Sequence, residues 1–147
     1  MIICRMTRLH ASASRVWEEL QRLSTFAYVA SGLLGFRLDG PVEDRFVAGH
    51  VYRGRLWLGH IVPAWQHQIK IIRVDAGSRE ILTNESGGPL RVWNHRLSVA
   101  EESADSCLYT DEIELDAGWL TLPTWVMADL FFRYRQARWR RLAARLA

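Results

Sequence analysis

The chain has 147 residues, 49% hydrophobic and 24% charged, with a formal net charge of +3. That is the size and balance of one ordinary globular domain with a full core, and the charge is too small to demand a polyanionic partner. No apolar run approaches the roughly 18 residues that span a membrane.

Ile2–His10 alternates apolar and polar residues and predicts a first strand, not the unbroken apolar core of a signal peptide. Ser12 is placed to cap a helix with Val16, Leu20 and Leu23 at i, i+4 and i+7 and Trp17 beside them. Ser24 is placed to cap a second, short helix through Tyr28 and Val29, stopped by Gly32. Gly35–Val47 reads as an irregular connection that turns at Gly40-Pro41, with at most a short strand. Strands are then predicted over His50–Leu58, ended by Gly59 and Pro63, over Trp65–Asp75, and over Glu80–Ser86, closed by Gly87-Gly88-Pro89. Arg91–Ala100 and Cys107–Asp116 form a last hairpin across Glu101–Ser106. Short connections between successive strands imply an antiparallel meander.

Thr121–Leu146 predicts one long helix, with Pro123 in its first turn and no later Gly or Pro. At 100° per residue Trp125, Ala128, Phe131, Phe132, Trp139, Leu142, Ala143 and Leu146 form its core stripe. Leu122–Phe132 is apolar nearly all round, with Asp129 its one charge, so Val126, Met127, Leu130 and Tyr134 are expected to face a cavity or a partner subunit. The second half carries Arg133, Arg135, Arg138, Arg140, Arg141 and Arg145. Most read as a solvated face that suits the helix C-terminus, while Arg135 points into the apolar stripe.

The order of elements, and Leu9–Leu20 with Ala11, Ser12, Val16, Trp17 and Leu20 in a strand-to-helix junction, resemble the START-like (SRPBCC) superfamily. Its members include birch-pollen-allergen-like proteins, polyketide cyclases and lipid-transfer domains. Ile72–Asp75 and Trp93–His95 fall where such proteins place mid-sheet strands. The resemblance implies a helix-grip α+β fold, with six to seven curved antiparallel strands around the C-terminal helix and two short helices after the first strand. It also implies a hydrophobic pocket between sheet and helix. Nothing in residues 42–58 matches the glycine-rich loop of the plant-allergen members, and no cyclase signature is present.

Strand alternation assigns the inward rows. They are Trp65, His67, Ile69 and Ile71; Ile81, Thr83 and Glu85; Arg91, Trp93, His95, Leu97 and Val99; and Tyr109, Asp111, Ile113 and Leu115. The facing of His50–Leu58 stays open. A hairpin centred near Ala104 sets His95 opposite Ile113 and diagonal to Asp111. His67, Glu85, Arg91, His95 and Asp111 therefore project into an aromatic interior, where Arg91 or Arg135 is expected to pair with Asp111 or Glu85. Trp65, His67, Thr83, Glu85, Arg91, Trp93, His95, Tyr109 and Asp111 of these rows, with Trp125, Met127, Leu130, Phe131 and Arg135 from the helix, make up the expected ligand-binding set.

The leading expectation is a binder of a lipid, isoprenoid or aromatic polyketide. One alternative is a cyclase- or dehydratase-like enzyme using His95 and Asp111; another is an interaction module using the Arg-rich helix end. Metal-ligand spacings are absent, so neither a metal nor a cofactor is expected. Nucleic acid is not an expected partner, and a homodimer is compatible with the sequence. The protein is expected in the cytoplasm, with Cys4 and Cys107 reduced and at opposite ends of paired strands.

Overall fold

In the computed structural model, which describes residues 1–147, alternation and turn residues build one curved sheet before the chain turns helical. The strands are β1 (Ile2–Leu9), β2 (Leu34–Leu38), β3 (Val51–Leu58), β4 (Val62–Asp75), β5 (Glu80–Ser86), β6 (Val92–Ser103) and β7 (Ser106–Asp116). Two helices, α1 (Ala13–Leu20) and α2 (Leu23–Ala30), follow β1, and α3 (Thr121–Leu146) ends the fold. The strands pair antiparallel in the order β1-β7-β6-β5-β4-β3-β2, so the first strand closes on the last. Cys4 is exposed and pairs in register with Glu112, whereas Cys107 is buried opposite Leu9, and both are free thiols.

Two local expectations are corrected. β4 begins at Val62 and runs through Pro63. It does so where β5 no longer pairs with it beyond Gln68 and where β3 has a bulge between Arg55 and Trp57, so proline's missing N–H interrupts no central ladder. Ser24 does not cap α2 either. The helix starts one residue earlier, at Leu23, and the Asp44 carboxylate reaches across to accept hydrogen bonds from the Ser24 N–H and hydroxyl, each at 2.6 Å. The facing of β3 also resolves. Tyr52 and Leu56 turn inward, while Trp57 lies outside with the Arg37 guanidinium 4.1 Å from its ring. Between them Gly54 is obligatory, because a Cβ there would sit 2.2 Å from the Arg37 carbonyl oxygen.

The core stripe of α3 buries Ala128, Phe132, Trp139 and Ala143. The helix packs on β1, β7, α1 and α2 and blunts the free edge of β1 with side chains. The Trp125 indole donates to the Ile2 carbonyl at 3.0 Å, the Gln136 amide donates to the Arg5 carbonyl at 2.6 Å, and Arg5 pairs with Asp129. Much of the Arg-rich half is held internally: Arg138 donates to the Tyr28 carbonyl and Arg140 to the Thr7 hydroxyl.

Asp44 supplies a testable contribution to this fold. Its carboxyl is held below the usual carboxylate range by the two Ser24 hydrogen bonds. Asp44→Ala should therefore lower unfolding free energy by about 1 kcal/mol in urea titrations near neutral pH. Because the folded-state value is the depressed one, the difference should shrink as pH falls through the carboxylate range.

Candidate functional site

The inner rows of β4 to β7 and one turn of α3 bring their polar residues into a continuous layer. The Trp65 indole donates to His67 Nδ1 at 3.3 Å, and His67 Nε2 meets Glu85 Oε2 at 2.8 Å. An indole N–H can only donate, so His67 Nδ1 accepts and its Nε2–H is the donor to Glu85. The Thr83 hydroxyl donates to the other Glu85 oxygen, which lies 4.0 Å from His95 Nδ1. His95 Nε2 contacts Asp111 Oδ1 at 2.8 Å. Asp111 also accepts from the Tyr109 hydroxyl at 2.7 Å and the Gln136 amide at 3.5 Å, and Arg135 Nε stands 3.7 Å away.

Burial sets the electrostatics. Desolvation pushes the Asp111 carboxyl upward, but the Arg135 charge and the hydrogen bonds from His95 and Tyr109 outweigh it and hold it below its ordinary value. Glu85 behaves likewise: burial opposes ionisation, and the His67 hydrogen bond with neighbouring His95 and Arg135 prevails. Burial first, then the Asp111 charge and hydrogen bond, raise the Tyr109 phenol well above its usual value against the pull of Arg135. Asp111 is therefore an ionised acceptor saturated by donors, fitted to orient His95 and Arg135 more than to take a proton.

This layer separates two apolar clusters. The larger includes Trp17, Leu20, Ile71, Val99 and Trp139, and the smaller comprises Ile3, Ile113, Leu115, Ala128 and Phe132. Towards β2–β5 the inner face is closed around Tyr52, Ile69, Ile71 and Ile81, whereas Leu34, Phe36, Leu56, Trp65 and Trp93 at its margin are half-buried. Phe36 stands edge-on to His67 with ring centres 6.1 Å apart, while Phe131 and Trp93 flank Phe132. These half-buried side chains outline a candidate cleft beside His67 and Glu85, whose own side chains are 7% and 10% exposed.

Of the residues expected at the site, Trp65, His67, Thr83, Glu85, Trp93, His95, Tyr109, Asp111 and Arg135 share this inner region, with Phe131 and Trp125 half-buried on α3. Three lie elsewhere. Arg91 precedes β6 and is exposed, its guanidinium packed over Gly118 and beside Asp116, so Arg135 alone pairs with Asp111. Met127 and Leu130 are 65% and 60% exposed on the outside of α3, not over the sheet. Sequence reasoning missed Phe36, because β2 is too short to show alternation, and Gln136, although its spacing of four from Phe132 and three from Trp139 marks it as inward. The two described cavities, about 220 and 320 Å³, lie at the β2–β3 end and over the polar strand residues around Gln66, Gln68 and Ser86. Neither is the enclosed chamber expected between sheet and helix.

A curved antiparallel sheet gripping a long C-terminal helix, with two short helices after the first strand, is the START-like (SRPBCC) helix-grip fold. The chain belongs to the family whose model is described as "Domain of unknown function (DUF8410)", which matches residues 7–145. A START superfamily protein from Mycobacterium smegmatis is similar at 11% identity and TM-score 0.74, covering 99% of each chain. Norcoclaurine synthase from Thalictrum flavum, solved with dopamine and hydroxybenzaldehyde, is similar at 14% identity and TM-score 0.71, covering 100% of this chain and 88% of that one. The Zhui aromatase/cyclase from a Streptomyces species is similar at 12% identity and TM-score 0.71, covering 99% and 94%. No curated protein matches the sequence.

Breaking the layer at Asp111 should be costly. Asp111→Asn leaves Arg135 buried without its counter-charge, and unfolding free energy should fall by about 3 kcal/mol in denaturant titrations at neutral pH. Asp111 and Glu85 both have depressed values, so their stabilisation is present above the ordinary carboxylate range and lost as pH falls through it. The acid limb of stability against pH should therefore be shallower in the variant than in the parent.

Proposed function

We propose that this chain is a single-domain binder of a hydrophobic or amphipathic small molecule, of the size of a lipid, isoprenoid or aromatic polyketide. The occupant's apolar body lies in the cleft between α3 and the β2–β5 half of the sheet, with its polar end towards Glu85 and His67. The observation that carries this reading is the half-buried apolar margin of the inner face, which abuts a buried layer of hydrogen-bonded polar groups and holds the unpartnered Trp93 indole N–H. Small-molecule sites take this form, an apolar recess with a few convergent polar groups. The fold shared with norcoclaurine synthase, solved with two aromatic compounds, supports an occupant of that class.

The second reading is a cyclase- or dehydratase-like enzyme, and the two His–carboxylate pairs favour it. His95 and Asp111 have 3% and 0% side-chain exposure, whereas His67 and Glu85 have 7% and 10%. The pair nearer the cleft is thus the one positioned to exchange a proton with a ligand, and His95 and Asp111 support it from behind. Fold likeness to an aromatase/cyclase supports this reading at the level of architecture. The Arg-rich helix end is the weaker candidate for a working surface, because Arg135, Arg138 and Arg140 are engaged within the chain.

Native mass spectrometry of the purified protein, followed by organic extraction, should reveal a stoichiometric apolar or aromatic mass. Leu56→Arg, which puts a charge on the cleft wall, should weaken rebinding at least about tenfold, equivalent to 1.4 kcal/mol. An apo mass, together with unchanged tryptophan emission across a panel of fatty acids, isoprenoids and aromatic polyketides, would count against the binder.

A further inference from the structure

The outer face of α3 breaks the usual pattern of a surface helix. Leu122, Val126, Met127 and Leu130 are 61%, 46%, 65% and 60% exposed, and Trp119 just before the helix is 87% exposed. At 100° per residue these four helical positions span about 140°, on the side opposite Ala128, Phe132, Trp139 and Ala143. The β3–β4 hairpin tip is also apolar and open to solvent, with Ile61 80% and Val62 54% exposed. It is held beside α3 through a shared turn: the Gly32 N–H donates to His60 Nε2 at 2.9 Å, and the Tyr134 hydroxyl donates to the Ser31 carbonyl. Exposed apolar side chains clustered on one helix face, as at Leu122, Val126, Met127 and Leu130, mark an interaction site.

The charge beside the patch selects the occupant. The single acid of α3, Asp129, is buried and held by Arg5 and Arg133. Arg141 and Arg145 are exposed along the second half of the same helix without a carboxylate partner, and Arg133 keeps a 61% exposed side chain beside Asp129. A second copy could cover the apolar first half by two-fold pairing but would leave the arginines of the second half without a counter-charge. An anionic bilayer offers an apolar interior to the first half, with the exposed Trp119 indole at its leading end, and negative headgroups to the second half.

We propose that the outer face of α3, with Trp119 and the β3–β4 hairpin tip, docks on a lipid bilayer containing anionic lipids. The face lies beside the cleft mouth but is outside the cleft, so this inference does not depend on what the cleft holds.

Flotation of the full chain with phosphatidylcholine vesicles, with and without phosphatidylglycerol, tests it. The protein should float with the anionic vesicles, and the bound fraction should fall as salt rises. Val126→Asp/Leu130→Asp should reduce binding at least tenfold, with circular dichroism and the melting temperature showing that the fold is kept. Brominated lipids should quench the emission of the parent more than that of Trp119→Phe. Failure of the parent to float would overturn the proposal, as would undiminished binding by the Asp variant. So would a dimer, seen by light scattering, that the same substitutions dissolve while vesicles go unbound. Extraction of lipid into the cleft would leave protein and lipid together in the unfloated fraction, and that outcome without flotation also overturns docking.

Discussion

The ion pair between Asp111 and Arg135 joins the last strand to the last helix where neither side chain reaches water. A buried charge without its partner is expensive, so this contact fixes the rotation and height of α3 over the sheet. The same carboxylate is hydrogen-bonded by His95, Tyr109 and Gln136, and His95 in turn lies beside Glu85. One pairing therefore organises groups from β5, β6, β7 and α3. The hydrogen bonds that stabilise the pair also position the polar floor of the cleft.

With α3 held there, the two sides of the sheet have different fates. Towards β1 and β7 the helix packs closely: Arg5 meets Asp129, and Trp125 and Gln136 cap β1 carbonyls. The second half of α3 is further walled by α1 and α2 around Trp139. Towards β2–β5 the cover is uneven: Tyr52, Ile69, Ile71 and Ile81 are buried in the main core, while Leu34, Phe36, Leu56 and Trp65 remain half-buried. The candidate cleft is thus a consequence of where the helix is anchored. Gly87 and Gly88, both at positive φ, let the β5–β6 turn lie against the Trp65 indole at its rim.

The parts legible in the sequence were those governed by periodicity. Alternation through β4 to β7 placed His67, Glu85, His95 and Asp111 on one face, and the short hairpin set His95 opposite Ile113. Continuous helical spacing without Gly or Pro marked α3 over the observed Thr121–Leu146. Contacts between distant segments left no such trace. The cap of α2 comes from Asp44, twenty residues beyond Ser24, and Arg91 leaves the inward row because β6 starts after it. Met127 and Leu130 misled for a different reason: an all-apolar stretch argues for burial on every side, and here one side is left to solvent.

The proposed ligand site lies between α3 and the β2–β5 inner face, and the seven tryptophans provide resolved reporters of it. Two-dimensional NMR of the indole N–H signals during titration with an aromatic or isoprenoid ligand is the most direct measurement. The account predicts saturable shifts of Trp65 and Trp93, with little change at Trp139 in the closed core or Trp57 on the outer face. Shifts confined to Trp57 or Trp119, with Trp65 and Trp93 unmoved, would contradict it.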